Sequence, residues 1–259
     1  GGAHDRTGSF EYRCNSGCRR TGLIYGTSDW FGDGKRYITG NRCEKGAGKA
    51  DAGSDLPDIY EYKLRRLFGY EPLDEQRAYR GHVAIPRVLN IYENYPFWFT
   101  FFTKLGFRVV LSPNSSKEIY EKGIDTISSD TACYPAKMVH GHIRTLVEMG
   151  EKWIFYPCIN YEYVEDPKAQ NHYNCPVVAT YPEVIANNMN ALFDAFGVTF
   201  THPFVPYDSD KRLVRRMTEI LEDKGISHEE IKKAVEAARA EELAFKKDIQ
   251  KAGEEALRY

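Results

Sequence analysis

Apolar and polar positions along the middle of this chain follow two alternating patterns. Short apolar runs predict strands over 84–92, 108–112, 124–129, 152–157, 176–182 and 198–204. Segments with helical spacing lie between them, over 95–106, 116–123, 135–150 and 182–197. Strands that alternate with helices predict an α/β fold, with a mostly parallel sheet covered by helices on both faces.

The pattern changes on either side of this region. The first 80 residues are polar and glycine-rich, and the sequence GDGK at 32–35 predicts the turn of a β-hairpin. A short helix is predicted from Asp58 to Phe68. Near the other end, 209–225 and 228–257 predict amphipathic helices. The apolar side of the longer helix needs a packing partner, either the α/β body or another domain or subunit.

The sequence therefore predicts three regions. They are an N-terminal cysteine-containing module with a linker, an α/β domain and a C-terminal helical extension, over 1–80, 81–206 and 207–259.

Composition narrows the class of protein. The chain has 259 residues, of which 28% are charged and 42% hydrophobic, and this balance is typical of a soluble globular protein with a substantial core. A net charge of −2 argues against a nucleic-acid-binding face. No apolar stretch approaches the ~18–20 residues of a membrane span, and no secretory signal opens the chain. We therefore expect a cytoplasmic protein with no membrane partner. The start Gly-Gly-Ala, without methionine, indicates a piece of a longer protein with a tag scar.

Three cysteines in the α/β region are the strongest candidates for chemistry. Cys133, Cys158 and Cys175 each lie at the end of a predicted strand or just before one, and all three adjoin a proline or precede one closely. Thiolates bind soft metals and iron–sulfur clusters, so these residues are candidate cofactor and metal ligands. Cysteine is also among the most often buried residues, so three buried free thiols are the alternative. Both interpretations remain open at this point.

The predicted topology tests which cysteines can meet. Cys133 and Cys158 each follow a predicted strand, so parallel strands place both at the carboxyl edge of the sheet, in one crevice. Pro135 indicates a helix start there, whose positive end favours an anionic assembly. Cys175 precedes its predicted strand and is expected at the opposite edge. It joins the others only if the connection 159–174 holds it there, or if the strand is antiparallel.

A second group of cysteines surrounds the predicted hairpin. Cys14 and Cys18 precede it, and Cys43 follows it. A knuckle and a returning strand bring ligands together in zinc ribbons, but structural zinc requires four ligands. His4 is a poor fourth candidate because it lies close to the chain start. Zinc binding by these cysteines and three ordinary thiols are the two interpretations.

Other polar side chains are weaker candidates. His140 and His142 are two residues apart on a predicted helix, so they point in different directions and do not chelate together. We expect them to be packing residues, with at most one near the site. Glu93 and Asn94 either line the crevice or cap a helix. Neither a phosphate loop nor a dinucleotide-binding fingerprint follows any predicted strand, and no catalytic triad or carboxylate pair is evident.

Five segments carry a resemblance to a known family. Together they resemble the activase-related region of large anaerobic proteins, which lies beside the ATPase activator of 2-hydroxyacyl-CoA dehydratases. This region is similar in turn to dehydratase subunits and to double-cubane cluster proteins, which bind iron–sulfur clusters through cysteines. The segments are RVLNIYENYPFWFTFFTKLGFRVVLS, SDTACYPAKMVHGH, IFYPCINYE, NCPVVATYPEVI and GNRCEKG.

The resemblance implies low-potential electron transfer, driven by ATP hydrolysis in a neighbouring domain. It implies an iron–sulfur cluster, of 4Fe–4S type in our expectation, on Cys133, Cys158 and Cys175. The expected partners are the activator ATPase domain and a dehydratase-like enzyme, in the same longer polypeptide, so the chain itself is expected to hydrolyse nothing. The alternative is a non-catalytic docking module of the same large protein, in which the cysteines are structural. A small-molecule binder that uses the same crevice is a third hypothesis.

Overall fold

The computed structural model describes residues 58–258, together with the backbone of two short strands nearer the start of the chain. The chain divides into two compact units, Gly1–Leu56 and Pro57–Tyr259. In the first unit, strands β1 (Ser9–Arg13) and β2 (Arg19–Leu23) pair antiparallel. The predicted turn at 32–35 lies outside the described residues, as do Cys14, Cys18 and Cys43, so the zinc hypothesis stays a prediction.

A four-stranded parallel sheet forms the centre of the second unit. Its strands are β3 (His82–Ile85), β4 (Arg108–Leu111), β5 (Trp153–Phe155) and β6 (Thr199–Thr201). The order across the sheet is β4-β3-β5-β6, and every pairing is parallel. Ala84 lies opposite both Val110 and Ile154 at the middle of the sheet. The predicted α/β class is confirmed.

Helices cover both faces of this sheet. The helices are α1 (Ile59–Phe68), α2 (Ile91–Lys104), α3 (Lys117–Gly123), α4 (Tyr134–Glu148), α5 (Pro176–Asn188), α6 (Asn190–Phe196), α7 (Asp210–Ile220) and α8 (His228–Ala256). The connection through α2 runs from β3 to β4, whereas the connections through α3–α4 and α5–α6 run across the sheet in the opposite direction. Because such crossovers are right-handed, α2 lies on one face and α3 to α6 lie on the other.

Three strand predictions were wrong in whole or in part. The segment predicted as a strand over 124–129 begins with a 3₁₀ turn, Ile124–Thr126, and the segment over 176–182 is the start of α5. A short apolar run does not distinguish a strand from a buried helix, and the buried positions of α5, such as Ala179, Pro182 and Ile185, have helical spacing. The strand predicted over 84–92 ends at Ile85, before a proline that lacks an N–H donor.

Aromatic side chains form the core between the sheet and the helices α2 and α8. Phe102 and Trp98 on α2 contact Phe155 on β5, with ring centroids 4.9 and 5.0 Å apart. On the other side of α2, the Arg239 guanidinium of α8 lies 4.8 Å from the centre of the Phe97 ring. The long amphipathic helix therefore packs against α2 in its own unit.

Ion pairs and a hydrogen bond of buried side chains fix the position of α8. Arg239 pairs with Glu242 on the same helix and with Asp210 at the start of α7, at 2.9 Å. The Tyr207 hydroxyl donates to Glu242 at 3.0 Å. Each charge in this group therefore has an opposite charge or a hydrogen-bond donor as its partner, which the low polarity of the interior requires.

Two glycines allow α3 and α4 to approach closely. A Cβ atom at Gly141 would clash with the backbone carbonyl of Ile119, and one at Gly123 would clash with the backbone of α4. Only residues without a side chain fit at this crossing. None of the described helices is long and apolar enough to cross a membrane.

Candidate functional site

The switch point of the sheet lies between β3 and β5. These strands are neighbours, but the chain leaves β3 toward one face and leaves β5 toward the other. In open α/β sheets, ligands bind in the crevice that this divergence creates at the carboxyl ends of the strands. Just after β3, Leu89 has φ +44°, the one positive φ among the described residues other than glycine. Such backbone conformations are concentrated at functional sites.

The structure brings all three central cysteines to this carboxyl edge. Cys133 is the N-cap of α4, whose far end leads into β5, and Cys158 follows β5 directly. Cys175 is the N-cap of α5. The sequence analysis left this placement open, and the segment that follows Cys175 is a helix running back along the sheet instead of the predicted strand.

A folded-back connection holds Cys175 near the chain that follows Cys158. Tyr161 and Tyr173 form an antiparallel bridge, and the Asn174 backbone N–H donates to the Asn160 carbonyl at 2.9 Å. The Asn174 side chain donates to the Ile159 carbonyl at 3.0 Å. These bonds join the residue before Cys175 to the two residues after Cys158.

A half-buried carboxyl group holds the same connection in place. Glu162 accepts hydrogen bonds from Asn174 at 2.5 Å and from Asn94 on α2 at 3.0 Å. Burial raises the pKa of Glu162, and the two amide donors counteract part of that rise. Asn94, a candidate from the sequence, therefore fastens the connection to α2, whereas Glu93 pairs with Lys63 at 2.7 Å.

The three thiols lie in different environments. Cys133 and Cys175 are exposed, and neither thiol hydrogen-bonds to the helix that it caps. Cys158 is fully buried and donates to the His202 carbonyl at 3.7 Å. Burial raises the pKa of Cys158 to about 12, so this residue is a neutral thiol at pH 7. Because its thiol is enclosed by protein atoms and bonded to the His202 carbonyl, Cys158 in this position is less accessible to a metal or cluster than Cys133 and Cys175.

The two histidines of α4 are buried and hydrogen-bonded at both ring nitrogens. His140 lies 2.8 Å from the Thr126 hydroxyl and 3.1 Å from the Tyr181 hydroxyl. His142 lies between Ser112 and Ser115, at 2.8 and 2.9 Å. Burial lowers the pKa of each histidine to about 4, so both rings are neutral at pH 7. They do not share a ligand, as the spacing predicts.

Tyr181, which is hydrogen-bonded to His140, lies on the side of the crevice that contains Cys133. Burial raises its pKa to about 12, and the nearby Cys133 thiol adds to that rise. The Cys133 side chain therefore lies within electrostatic reach of α5, at the crossing of α4 and α5.

No preformed metal centre is present in the described part of the chain. Residues 58–258 contain no group of three or more His, Cys, Asp or Glu side chains that could hold a metal ion. The exposed pair, Cys133 and Cys175, fits thiolate ligation, because both sit at the positive ends of long helices at one edge of the sheet.

Several polar residues of the crevice were missed by the sequence analysis. Arg87 follows β3, and Ser112 and Ser115 follow β4, so all three lie at strand ends. The position at the end of a parallel strand was a usable signal. The predicted strand over 84–92 includes Arg87, whereas β3 ends at Ile85, so the sequence does not place Arg87 at a strand end.

One comparison with known proteins identifies a family. The family model described as the CoA enzyme activase uncharacterised domain (DUF2229) matches residues 82–259. Comparisons with curated proteins and with solved structures found no match.

Proposed function

Because this chain belongs to the family of the CoA enzyme activase uncharacterised domain, we propose that it is an iron–sulfur electron-transfer module of an activase-like protein. Its partners in this proposal are an activator ATPase domain and a dehydratase-like enzyme, in the same longer polypeptide. The chain contains no phosphate loop, so the proposal assigns ATP hydrolysis to the partner domain.

The observation that carries the proposal is the exposed cysteine pair. Cys133 and Cys175 begin α4 and α5, which contact each other through His140 and Tyr181. The unpaired N–H groups of two helix starts lower the free energy of thiolates and of an anionic cluster. A bound cluster supplies one-electron transfer at low potential. Its remaining ligands would come from a partner.

Cys158 has a different role in this proposal. Its thiol is buried and bonded to the His202 carbonyl, so it packs the junction between β5 and β6. Glu162 and Asn174 act as positioning residues, because they fix the connection that leads to Cys175.

Anaerobic reconstitution with iron and sulfide tests the proposal. We expect a brown protein with broad absorbance near ~400 nm and roughly stoichiometric iron and sulfide. Cys133→Ser and Cys175→Ser should each abolish cluster incorporation and leave the far-ultraviolet circular dichroism unchanged. Cys158→Ala is the matched control, which should still incorporate the cluster.

The N-terminal cysteines require their own control. A triple serine variant at Cys14, Cys18 and Cys43 shows whether iron bound by the wild-type chain depends on them. The proposal fails if the wild-type chain stays colourless with its activator partner present, or if the iron content is insensitive to both Cys133→Ser and Cys175→Ser.

The second candidate is a docking module of the same large protein with structural cysteines. The neutral, buried Cys158 and the absence of a three-ligand group in residues 58–258 favour it. Under this hypothesis the colourless chain binds the activator domain in a pull-down, and Cys133→Ser binds equally well.

A further inference from the structure

A cavity of about 480 Å³ lies at the carboxyl edge of β3 and β4, beside the start of α4. Its polar lining comes from the chain after β3 and the chain after β4, and its aromatic lining comes from α2 and α4. We call it the Arg87 cavity. Arg87, Ser115 and Lys117 provide its polar groups, and Tyr92 and Tyr134 its rings. Its volume is in the range of small-molecule sites.

Arg87 is a half-buried cation without an acidic partner. Its Nε is inaccessible to solvent and has no hydrogen-bond partner, and its guanidinium lies 4.1 Å from the centre of the Phe68 ring. None of the described residues places a carboxylate within ion-pair distance of it. Burying a charge in this way is unfavourable unless an opposite charge compensates for it.

Ser115 is held in the cavity wall by a hydrogen-bonded chain. The Arg87 backbone N–H donates to the Ser112 hydroxyl at 2.8 Å, and Ser112 and Ser115 lie on the two sides of His142. The hydroxyl of Ser112, which accepts from Arg87, is suited to donate to Nδ1 of the ring. The ring then carries its proton on Nε2 and donates it to Ser115, which leaves the Ser115 hydroxyl proton available to an acceptor in the cavity.

The charge of the lining has one sign. Arg87 and Lys117 are cationic, and no described Asp or Glu lines this cavity. Lys117 has one exposed carboxylate neighbour, Glu121 at 3.5 Å, which is a weak surface pair. The strained backbone at Leu89 forms part of the same wall.

We propose that the Arg87 cavity binds the phosphoryl group of a small organic phosphate. Two cations and a free hydroxyl match the charge of about −2 and the three acceptor oxygens of a phosphate monoester, which a carboxylate matches less fully. The rest of the molecule packs against the rings of Tyr92 and Tyr134. None of the described cysteines lines this cavity, and the proposal does not depend on a cluster.

Phenyl phosphate is the probe that tests the proposal, because it joins a phosphate monoester to one aromatic ring. We expect saturable binding to the full chain by ³¹P nuclear magnetic resonance, with a dissociation constant on the order of 1 mM or lower, which a ligand of this size can reach. Benzoate should bind at least about tenfold more weakly, since it lacks the second charge and the third oxygen. Equal affinity for benzoate would overturn the phosphate assignment.

Matched variants locate the binding. Arg87→Met keeps the stem that packs on Phe68 and removes the charge, and it should weaken phenyl phosphate binding by at least about tenfold. Ser115→Ala should weaken it by a smaller factor, about fivefold. Arg77→Met, an exposed arginine in the turn before β3, is the control and should change nothing.

Thermal unfolding provides a second readout. Saturating phenyl phosphate should raise the unfolding temperature of the wild-type chain and of Arg77→Met, but not that of Arg87→Met. The proposal is wrong if phenyl phosphate shows no saturable binding, or if Arg77→Met weakens binding as much as Arg87→Met does.

Discussion

Two buried or half-buried arginines in this protein have opposite surroundings. Arg239 on α8 lies over an aromatic ring, pairs with Glu242 and Asp210, and is almost fully buried. Arg87, after β3, also lies over an aromatic ring, but no described carboxylate neutralises it. The same stacking therefore serves two purposes. A fully partnered charge fixes the position of a helix, whereas an unpartnered charge at a strand end remains available to a ligand.

The largest effect should come from breaking the partnered group. Arg239→Met leaves the buried Glu242 with Lys246, at 3.5 Å, as its one described cationic partner, so we expect it to destabilise the fold by about 3 kcal/mol, as measured by urea unfolding. The double variant Arg239→Met/Glu242→Met removes both charges and should recover much of this loss. Equal destabilisation of the single and double variants would show that packing, and not the charge, fixes α8.

Glu162 provides an intermediate case, a half-buried acid whose hydrogen-bond donors are neutral amides. Its folded pKa is raised above its ordinary value of 4.5, so the protonated form contributes stability at low pH, and this contribution is lost as pH rises through the folded pKa. Each unit of pKa difference is worth about 1.4 kcal/mol.

The stability of the wild-type chain relative to Glu162→Gln should therefore fall as pH rises from 4.5 toward neutrality. Thermal unfolding of both proteins across this range measures the difference. A relative stability that rises with pH would show that the amide donors outweigh burial.

Arg80 is a less deeply buried arginine that also has an acidic partner. It donates to Glu230 at 2.8 Å, and this bond with the capping contacts of Ser227 lowers the pKa of Glu230 to about 2. Stability from this group is present above 4.5 and is lost as pH falls through about 2. Arg80→Met should move the pKa of Glu230 back toward 4.5, as followed by nuclear magnetic resonance titration. An unchanged pKa would assign the shift to Ser227 alone.

The smallest effect on stability should come from Arg87. Because no ion pair is lost and the methionine still packs on Phe68, Arg87→Met should change the free energy of unfolding by no more than about 1 kcal/mol, the order of the lost cation–π contact. A loss as large as that of Arg239→Met would remove the distinction between the two arginines, and with it the reason to expect a ligand at Arg87.

Periodicity predicted more of the fold than of the site. The sequence predicts α1, α2, α4, α7 and α8 because each has either a long apolar stripe or clear end signals. The segments at 124–129 and 176–182 failed because a few apolar residues fit either period. That second error also left the edge of the sheet at which Cys175 lies undecided, because a strand and a helix after it place it at opposite edges.

The site depends on contacts that no local pattern records. Burial of Cys158 depends on the junction of β5 with β6, and the position of Ser115 depends on a histidine from another helix. That Arg87 has no acidic partner among the described residues becomes apparent only from the positions of all the side chains around it. The roles of Cys133 and Cys175 as ligands are a proposal, and the N-terminal zinc hypothesis stays a prediction.

The close crossing of α3 and α4 gives the His-Gly-His triplet a mechanical meaning. Gly141 lies directly against the α3 backbone, and the histidines on either side of it bond to Thr126 and Ser115, which flank α3 in the chain. The triplet therefore holds α3 against α4 by contacts on both sides of the crossing, although the sequence His-Gly-His resembles a metal-binding motif. The methyl group introduced by Gly141→Ala would push α3 and α4 apart and displace His140 and His142 together. The contact between His140 and Tyr181, near Cys133, and the contact between His142 and Ser115, in the wall of the Arg87 cavity, would then both change. Gly141 therefore couples the positions of these two parts of the crevice.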